Sequence, residues 1–425
     1  MKPLPLVLLA IACPRPPVAG ETGDCTPPAD SRTPDSRAPD SGDSGGHDLG
    51  ACDGLPWRLV EGTTGPDTAW AVAVTADGDV LLAAHEGQSL ATDIVVRRLD
   101  RAGQPRWEGR WDSGRSDEAF AVAEGPDGTV WVGGLTRSGS VLDTDTAAVL
   151  LRFDGQTGTP LGQAFSWDSP GWDELDGLAA AEDGVYLSGW AQGAGGDGEL
   201  RAYALDPDSL TPRWAASLDE PGLDAGNGAL VLWDDLVIVG GSYRSTGVLG
   251  HAQGVVAAFG RADGARAWTS TVGDGSDYRE ILGLGSDGER VFAAGWRRVT
   301  FTDWQLALWA FDRTGAPLWE TEWGGAGNER SRALAWDPRD DSLLVAGTTN
   351  GTGDDDVALL RVCAADGSLA EERTWGGPGG DGASGVALLG DRGFVAGPTR
   401  SWGAGDIDAL GIGFCTRPWS LPSTD

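Results

Sequence analysis

The chain has 425 residues, with 64 acidic side chains against 31 basic ones and a net charge of −33. That field repels phosphate backbones and anionic lipid surfaces, so nucleic acid is not expected as a partner, and membrane contact is expected only through an anchor. The only lysine is Lys2, in a leader that is expected to be removed, which takes Schiff-base and phosphate-loop chemistry out of a mature chain. His47, His85 and His251 are the only histidines, too few and too scattered for a clustered His metal site.

In chain order, residues 1–12 read as an address: Lys2 supplies a minimal charge, an apolar run follows, and Ala10-Ile11-Ala12 leads into Cys13. This resembles a bacterial lipoprotein signal, in which Cys13 would be lipidated and become the mature N-terminus. Leu9 sits one place earlier than such signals put it. Plain secretion is the alternative; either way the destination is extracytoplasmic, as an outer-membrane lipoprotein or else a secreted or periplasmic protein. The apolar run is far too short to span a bilayer. Residues 13–53 are Pro, Asp, Ser, Thr and Gly with almost no large apolar side chain, as in TPPADSRTPDSRAPDSGDSGG. Such a stretch buries too little surface to offset its ordering entropy, so a disordered tether is expected.

From Trp70 to Gly397 one pattern returns seven times: a small-apolar run, Asp-Gly or a stand-in, and a second apolar run ending in Gly or Ala. The copies read AVAVTADGDVLLAA from Ala71, AVAEGPDGTVWVGG from Ala121, GLAAAEDGVYLSG from Gly177, GALVLWDDLVIVGG from Gly228, ILGLGSDGERVFAAG from Ile281, RALAWDPRDDSLLVAG from Arg332 and GVALLGDRGFVAG from Gly385. Their ends, at Ala84, Gly134, Gly189, Gly241, Gly295, Gly347 and Gly397, step by 50, 55, 52, 54, 52 and 50 residues. A period of that size with turn chemistry between short runs is a propeller or solenoid signature.

Each unit holds four runs of strand length. In the first these are 69–75 (strand A), 80–84 (B), 93–99 (C) and 105–111 (D). A turn before the D run, containing Gly in every one of these units but the third, leads to Trp107, Trp214, Trp268 and Trp319, with Phe165 expected in that place in the second unit and Trp375 in the sixth. These repeated tryptophans are expected to pack between blades. The motifs resemble the bacterial SBBP family, the seven-bladed β-propeller repeat. WGGAGNERSRALAWDPRDDSLLVAGTTN and GDDDVALLRV carry the closest likeness, which extends over about residues 57–415. The fourth unit departs most, with Asp234-Asp235 for Asp-Gly. The resemblance implies a fold and little about activity.

The order of runs argues for the same architecture. A lone D-type strand, PWRLVEG from Pro56, precedes the first strand A, and no full D-type strand follows the last strand C, DALGIGF from Asp408. Seven runs of each type result only if the N-terminal strand completes the last blade, an arrangement that removes open edges. The expected fold is therefore all-β: a seven-bladed β-propeller of four-stranded antiparallel blades over residues 54–418, with a tail at 419–425. Cys52 and Cys415 flank the expected seam, and a disulfide there would stabilise by roughly 4 to 5 kcal/mol in the chain-entropy model. Cys25 and Cys363 remain, paired or free.

Two acidic series follow the period. Asp67, Asp117, Asp173, Asp224, Asp277, Asn328 and Asp381 precede the A strands; Asp93, Asp145, Asp197, Asp303, Asp356 and Asp408 precede the C strands. Up-and-down blades put both sets of connections at one mouth of the channel. Carboxylates there suit calcium, and the densest local candidates are Asp117, Asp143, Asp145, Asp354, Asp355 and Asp356. The structural alternative, favoured because the positions recur in every unit, is Asp bonding its own turn. Apart from calcium no cofactor is expected. Aromatics that break the repeat after strand B, namely Trp190, Tyr243, Trp296 and, further along, Trp402, together with His85 in the equivalent place, are candidate ligand contacts at that mouth.

No G-x-S-x-G elbow accompanies the histidines. The reading is a monomeric, non-enzymatic envelope propeller that displays a binding face for an envelope or extracellular protein or for a small ligand. Two alternatives are a PQQ-type quinoprotein or outer-membrane assembly scaffold, and an extracellular hydrolase or lyase using mouth carboxylates.

Overall fold

A computed structural model describes residues 25, 52–88, 91–137, 145–192, 198–218, 223–245, 251–273, 277–325, 327–351 and 353–424, with main chain only at 223–227 and 244–245. The leader, Cys13, Asp143, Asp197 and almost all of the tether fall outside these residues. No helix among the described residues is long and apolar enough to cross a membrane.

The described chain is all strand and turn. After β1 (Trp57–Glu61) come β2 (Thr68–Val74), β3 (Val80–Gln88), β4 (Ala91–Leu99) and β5 (Pro105–Trp111), paired in that order. The second group is β6 (Asp117–Glu124), β7 (Val130–Arg137), β8 (Thr146–Phe153) and β9 (Pro160–Trp167). The third is β10 (Asp173–Ala181), β11 (Gly184–Gln192), β12 (Gly198–Leu205) and β13 (Pro212–Leu218). The fourth is β14 (Leu223–Trp233), β15 (Leu236–Ser245), β16 (Ala252–Gly260) and β17 (Arg266–Val272). The fifth is β18 (Tyr278–Ser286), β19 (Val291–Thr300), β20 (Asp303–Phe311) and β21 (Pro317–Trp323). The sixth is β22 (Arg330–Asp337), β23 (Ser342–Thr349), β24 (Asp356–Cys363) and β25 (Leu369–Trp375). The chain ends with β26 (Gly385–Leu389), β27 (Arg392–Thr399), β28 (Asp408–Thr416) and the two-residue β29 (Trp419–Ser420).

Each group is an antiparallel meander, and the fourth and fifth touch through a single parallel pair, Ala252 with Tyr278. In the last sheet β1 pairs with β28 from Trp57 opposite Gly413 to Glu61 opposite Ala409, and β29 occupies the remainder of the same edge. Two disulfides join distant segments: Cys52 with Cys415, Cα atoms 5.6 Å apart, and Cys25 with Cys363, 5.1 Å apart. The B and C runs extend further than apolar content indicates: β3 and β4 continue through polar residues until Gln88 faces Ala91.

The core lies between blades. The middle strands are covered on both faces, which is why their runs are continuous and apolar rather than alternating. Leu81, Val96 and Ile94 of the first group pack on Val132, Val149 and Phe153 of the second, and the same arrangement recurs around the molecule. One such cluster joins Val80, Leu82 and Leu99 of the first group to Phe394, Ala396 and Ala409 of the last.

A polar latch accompanies five of these contacts. The indole N–H of Trp107 in β5 donates to the Gly155 carbonyl in the next blade's turn at 2.9 Å, and Trp214, Trp268 and Trp319 donate to Arg261, Arg313 and Ala364 at 3.0–3.1 Å. Trp57 of β1 makes the same bond to Arg101 at 3.2 Å. The ring lies flat on a glycine: a Cβ on Gly158, whose φ is +70°, would meet Trp107 at 2.4 Å. The second and sixth units lack the tryptophan at this place: the register puts Gly162 opposite Arg152 and Glu371 opposite Arg361, while Phe165 and Trp375, expected there from the sequence, lie further along their strands opposite Leu150 and Val357. Facing the second unit, the next turn has Leu210 at φ 58° in the glycine's place, and Phe165 and Leu210 pack against one cluster.

Candidate functional site

The acidic residue ahead of an A strand is a clasp. Asp67, fully buried, accepts the Thr63 amide, the Thr63 hydroxyl at 3.3 Å and the Gly87 amide at 2.7 Å. Asp117 accepts the Ser113 amide and hydroxyl at 2.8 and 2.7 Å. Asp173 holds the Ser169 amide and hydroxyl, and Asp381 holds the Gly377 amide with the hydroxyls of Thr399 and Ser401. In each case the carboxylate reaches four residues back across the corner, which ties the entry of strand A to the end of strand B. The strand register puts Arg279 at this position in the fifth blade and Glu329 in the sixth, where the sequence pattern points to Asp277 and Asn328. Asp277 instead pairs with Arg279 and Arg297 at 3.1 and 2.8 Å. The side chain of Asp224 lies outside the described residues. Burial pushes the Asp117 carboxyl up and carries Asp173 from 3.8 up to about 6, against the Ser113 and Ser169 hydrogen bonds that favour the charged form.

Three residues after each clasp the A strand bulges. The partners in the ladder skip one residue at Trp70, Phe120, Asp176, Leu282 and Arg332, and skip 227 and 228 in the fourth blade. Ser384 holds the same place just before β26. A bulge turns its extra side chain away from the sheet face, and here it turns toward the axis. A cavity of about 390 Å³ is lined by all seven innermost strands, and Trp70, Phe120, Asp176, Leu282, Arg332 and Ser384 all face it. Trp70 and Phe120 meet edge to face with centroids 5.8 Å apart, and the Arg332 guanidinium lies 5.0 Å over Trp70.

A second cavity of about 550 Å³ shares Trp70, Arg332 and Ser384 with the first and adds Arg330, Arg400, Asp354, Asp355 and Asp381 at the mouth beside blades six and seven. Burial and Glu174 raise the Asp176 carboxyl well above its ordinary value, although Arg332 pulls it down. Burial likewise holds the Arg332 guanidinium below its usual value, against Glu280, Asp176 and Glu174. Arg332 is nonetheless exposed, with its side chain facing the open cavity.

The other sequence candidates are spread around the mouth, one per blade. Trp190 lies opposite Glu174 and Trp296 opposite Glu280 in their ladders. Trp296 is sandwiched between Tyr278 and Trp304 at 4.9 and 4.7 Å, and Tyr243, 4% exposed, belongs to an interblade core. Trp402 rests on Trp375 at 5.0 Å, with Arg58 4.0 Å over its ring. His85 is half-buried, and burial pushes its imidazole down despite Glu118, Asp67 and Glu86 nearby. Asp145 accepts the Gly171 amide at 3.1 Å, and Asp356 is half-buried at the start of β24. Asp93, Asp112 and Asp117 bring carboxylate oxygens within 4.8 Å of one another. Arg110 donates to Asp93 at 2.9 Å and Asp117 is held by Ser113, so these acids already have partners within the fold. The bulge residues, with Arg330 and Arg400, are what the sequence candidates omit.

No family model and no curated relative matches the chain. Among solved structures, hydrazine synthase from Kuenenia stuttgartiensis superposes with a TM-score of 0.54 at 12% identity, covering 79% of this chain and 94% of that one. Sqt1 from Saccharomyces cerevisiae gives a TM-score of 0.46 at 12% identity, covering 83% and 97%. Together with six four-stranded meanders and a last sheet of β26, β27 and β28 with β1 and β29, the first likeness makes the fold a β-propeller.

Proposed function

We propose that this chain is a non-enzymatic binding propeller of the SBBP type, a closed seven-bladed ring that takes a small ligand in its axial cavity. In this reading it works outside the cytoplasm as a monomer, anchored through a lipidated Cys13, with residues 13–53 as the tether. The observation that carries the reading is the contrast within each A strand: a clasp that is acidic in nearly every blade, then a cavity-facing bulge residue that differs in every blade. A position that builds the blade repeats, whereas a position that varies on a repeated frame makes one asymmetric site. The cavity, about 390 Å³, is of the size that small-molecule sites have. The two disulfides suit an oxidising compartment. The quinoprotein, assembly-scaffold and hydrolase readings, and calcium at the mouth, have no specific observation behind them.

Ligand-observed NMR of the full chain against a library of small polar metabolites tests the reading, with Ser384→Trp as a plug. Binders should be found, and the plugged variant should lose them at an unchanged melting temperature. Retention of every binder by the folded, plugged chain would overturn a site in the axial cavity. The anchor is tested by metabolic labelling with a fatty-acid analogue, which Cys13→Ser should abolish; an unlabelled wild-type chain would remove it.

A further inference from the structure

The axial cavity is electrically polarised, and its charges do not neutralise each other. On one side Arg332 of β22 lines it, and Arg330 of β22 and Arg400 just after β27 line the adjoining mouth cavity together with Asp354, Asp355 and Asp381. Among the described residues none of these three guanidiniums forms an ion pair; Arg332 stacks on Trp70, and Arg330 lies 4.7 Å over Trp304. Other arginines of the chain show what full pairing looks like: Arg98 is held by Asp77, Asp79 and Glu124. With a net charge of −33, carboxylates are not in short supply.

Opposite stand Glu174 and Asp176 of β10, with Glu280 of β18 nearby. The Asp176 Oδ2 is buried and has no hydrogen-bond partner. An orphaned buried acceptor costs free energy. Asp176 and Arg332 line one cavity and form neither a hydrogen bond nor an ion pair with each other, although each feels the other's charge. A third body carrying both signs would satisfy both.

We infer that the axial cavity binds a small zwitterion with an apolar body, of the amino-acid or dipeptide kind. Its carboxylate lies on Arg332, with Arg330 and Arg400 leading in from the mouth. Its ammonium lies at Asp176 beside Glu174, and its body packs against Trp70 and Phe120. Guanidinium suits a carboxylate because its planar fork donates two parallel hydrogen bonds. The displaced position of both pKa values has the same sense: the cavity charges each group at a cost that a ligand of opposite sign relieves. The inference rests on the proposed binding role and names the ligand class.

Calorimetric titration of the full chain tests it with four probes: L-phenylalanine, glycyl-L-phenylalanine, 3-phenylpropionate (carboxylate only) and 2-phenylethylamine (ammonium only). At least one zwitterion should bind about 10-fold or more tightly than either half-analogue, since each half loses one charged hydrogen-bonded contact. Arg332→Gln should weaken the zwitterion and 3-phenylpropionate by about 10-fold and leave 2-phenylethylamine unchanged, and Asp176→Asn should do the reverse. The analogue comparison uses the wild-type chain, so the test survives a variant that fails to fold. Absence of zwitterion binding up to about 10 mM overturns the inference. So does 3-phenylpropionate binding as tightly as the zwitterion with no response to Asp176→Asn. Library binders lost on plugging with Ser384→Trp would leave the binding role standing while the ligand class falls; binders retained by the plug would sink the role itself.

Discussion

Two positions three residues apart on each innermost strand behave in opposite ways. At the first, Asp67, Asp117, Asp173, Glu329 and Asp381 gather the same donors at the same corner. At the second, Trp70, Phe120, Asp176, Leu282, Arg332 and Ser384 share a backbone bulge and a direction, and nothing in their chemistry. The clasp needs an acceptor because the corner leaves amide and hydroxyl donors inside the fold. The bulge needs only room, because its side chain leaves the sheet for the cavity. Repetition therefore marks what holds the blade, and variation marks what the assembled blades offer to a ligand.

Breaking the clasp should have the largest effect. Asp381→Ala leaves the Gly377 amide and the Thr399 hydroxyl without their acceptor in a site 1% exposed, and leaves the Ser401 hydroxyl only the Gly379 carbonyl. A loss of about 2 to 4 kcal/mol in denaturant unfolding is expected, since buried donors are stranded. A loss under about 0.5 kcal/mol would make the clasp incidental.

The clasp in the third blade carries a pH signature. Asp173 is pushed up to about 6 in the folded chain from 3.8, so between these values the folded state holds a proton that the unfolded state has released. The stability from that proton is fully present below about pH 4 and is lost as pH rises through about 6, by at most about 3 kcal/mol. Melting curves of wild type against Asp173→Asn should diverge across that window, with the wild type losing ground as pH rises. Parallel curves would show that the corner leaves this carboxyl unperturbed.

The interblade latch is intermediate. Trp107→Phe keeps the ring over Gly158 and removes the bond to Gly155, at about 1 to 2 kcal/mol. At the junction between the second and third blades, one of two without it, Phe165→Ala and Leu210→Ala should be coupled by about 1 kcal/mol in a double-mutant cycle, since the two pack against one cluster. Additive effects would mean that Phe165 and Leu210 do not share that packing.

The blades were legible in the sequence because their signals are local: continuous small-apolar runs for covered strands, Asp-Gly for the hairpins, and Gly then Trp for the latch. The pairing of β1 with β28 was legible too, as a missing D run at one end and a spare one at the other. The cavity was not, because its residues mark the limit of the repeat. Five of the seven copies, those from Ala71, Ala121, Gly177, Gly228 and Gly385, start on the residue just after the bulge position, where similarity begins. Similarity finds framework and trims away variation. The aromatics after strand B were visible as departures from the pattern, yet Tyr243 packs in an interblade core and Trp296 stacks on Tyr278 and Trp304 of its own blade. A sequence cannot tell a departure that faces a neighbour from one that faces a cavity until the bulge is placed.

The smallest expected effect is the one that most sharpens the comparison. Leu282→Asn and Ser384→Asn alter cavity-facing residues on bulges whose backbone bonds stay intact. Asn is already the residue at 227, the matching place in the fourth copy, so the frame accepts it. Each variant should stay within about 0.5 kcal/mol of wild type in denaturant unfolding, as substitutions that strand no buried group do. Binding of a cavity ligand should change far more than stability does. A loss of 2 kcal/mol or more, of about the size expected at the clasp, would place the bulge residues in the framework, and variation along the A strand would then cease to mark the site.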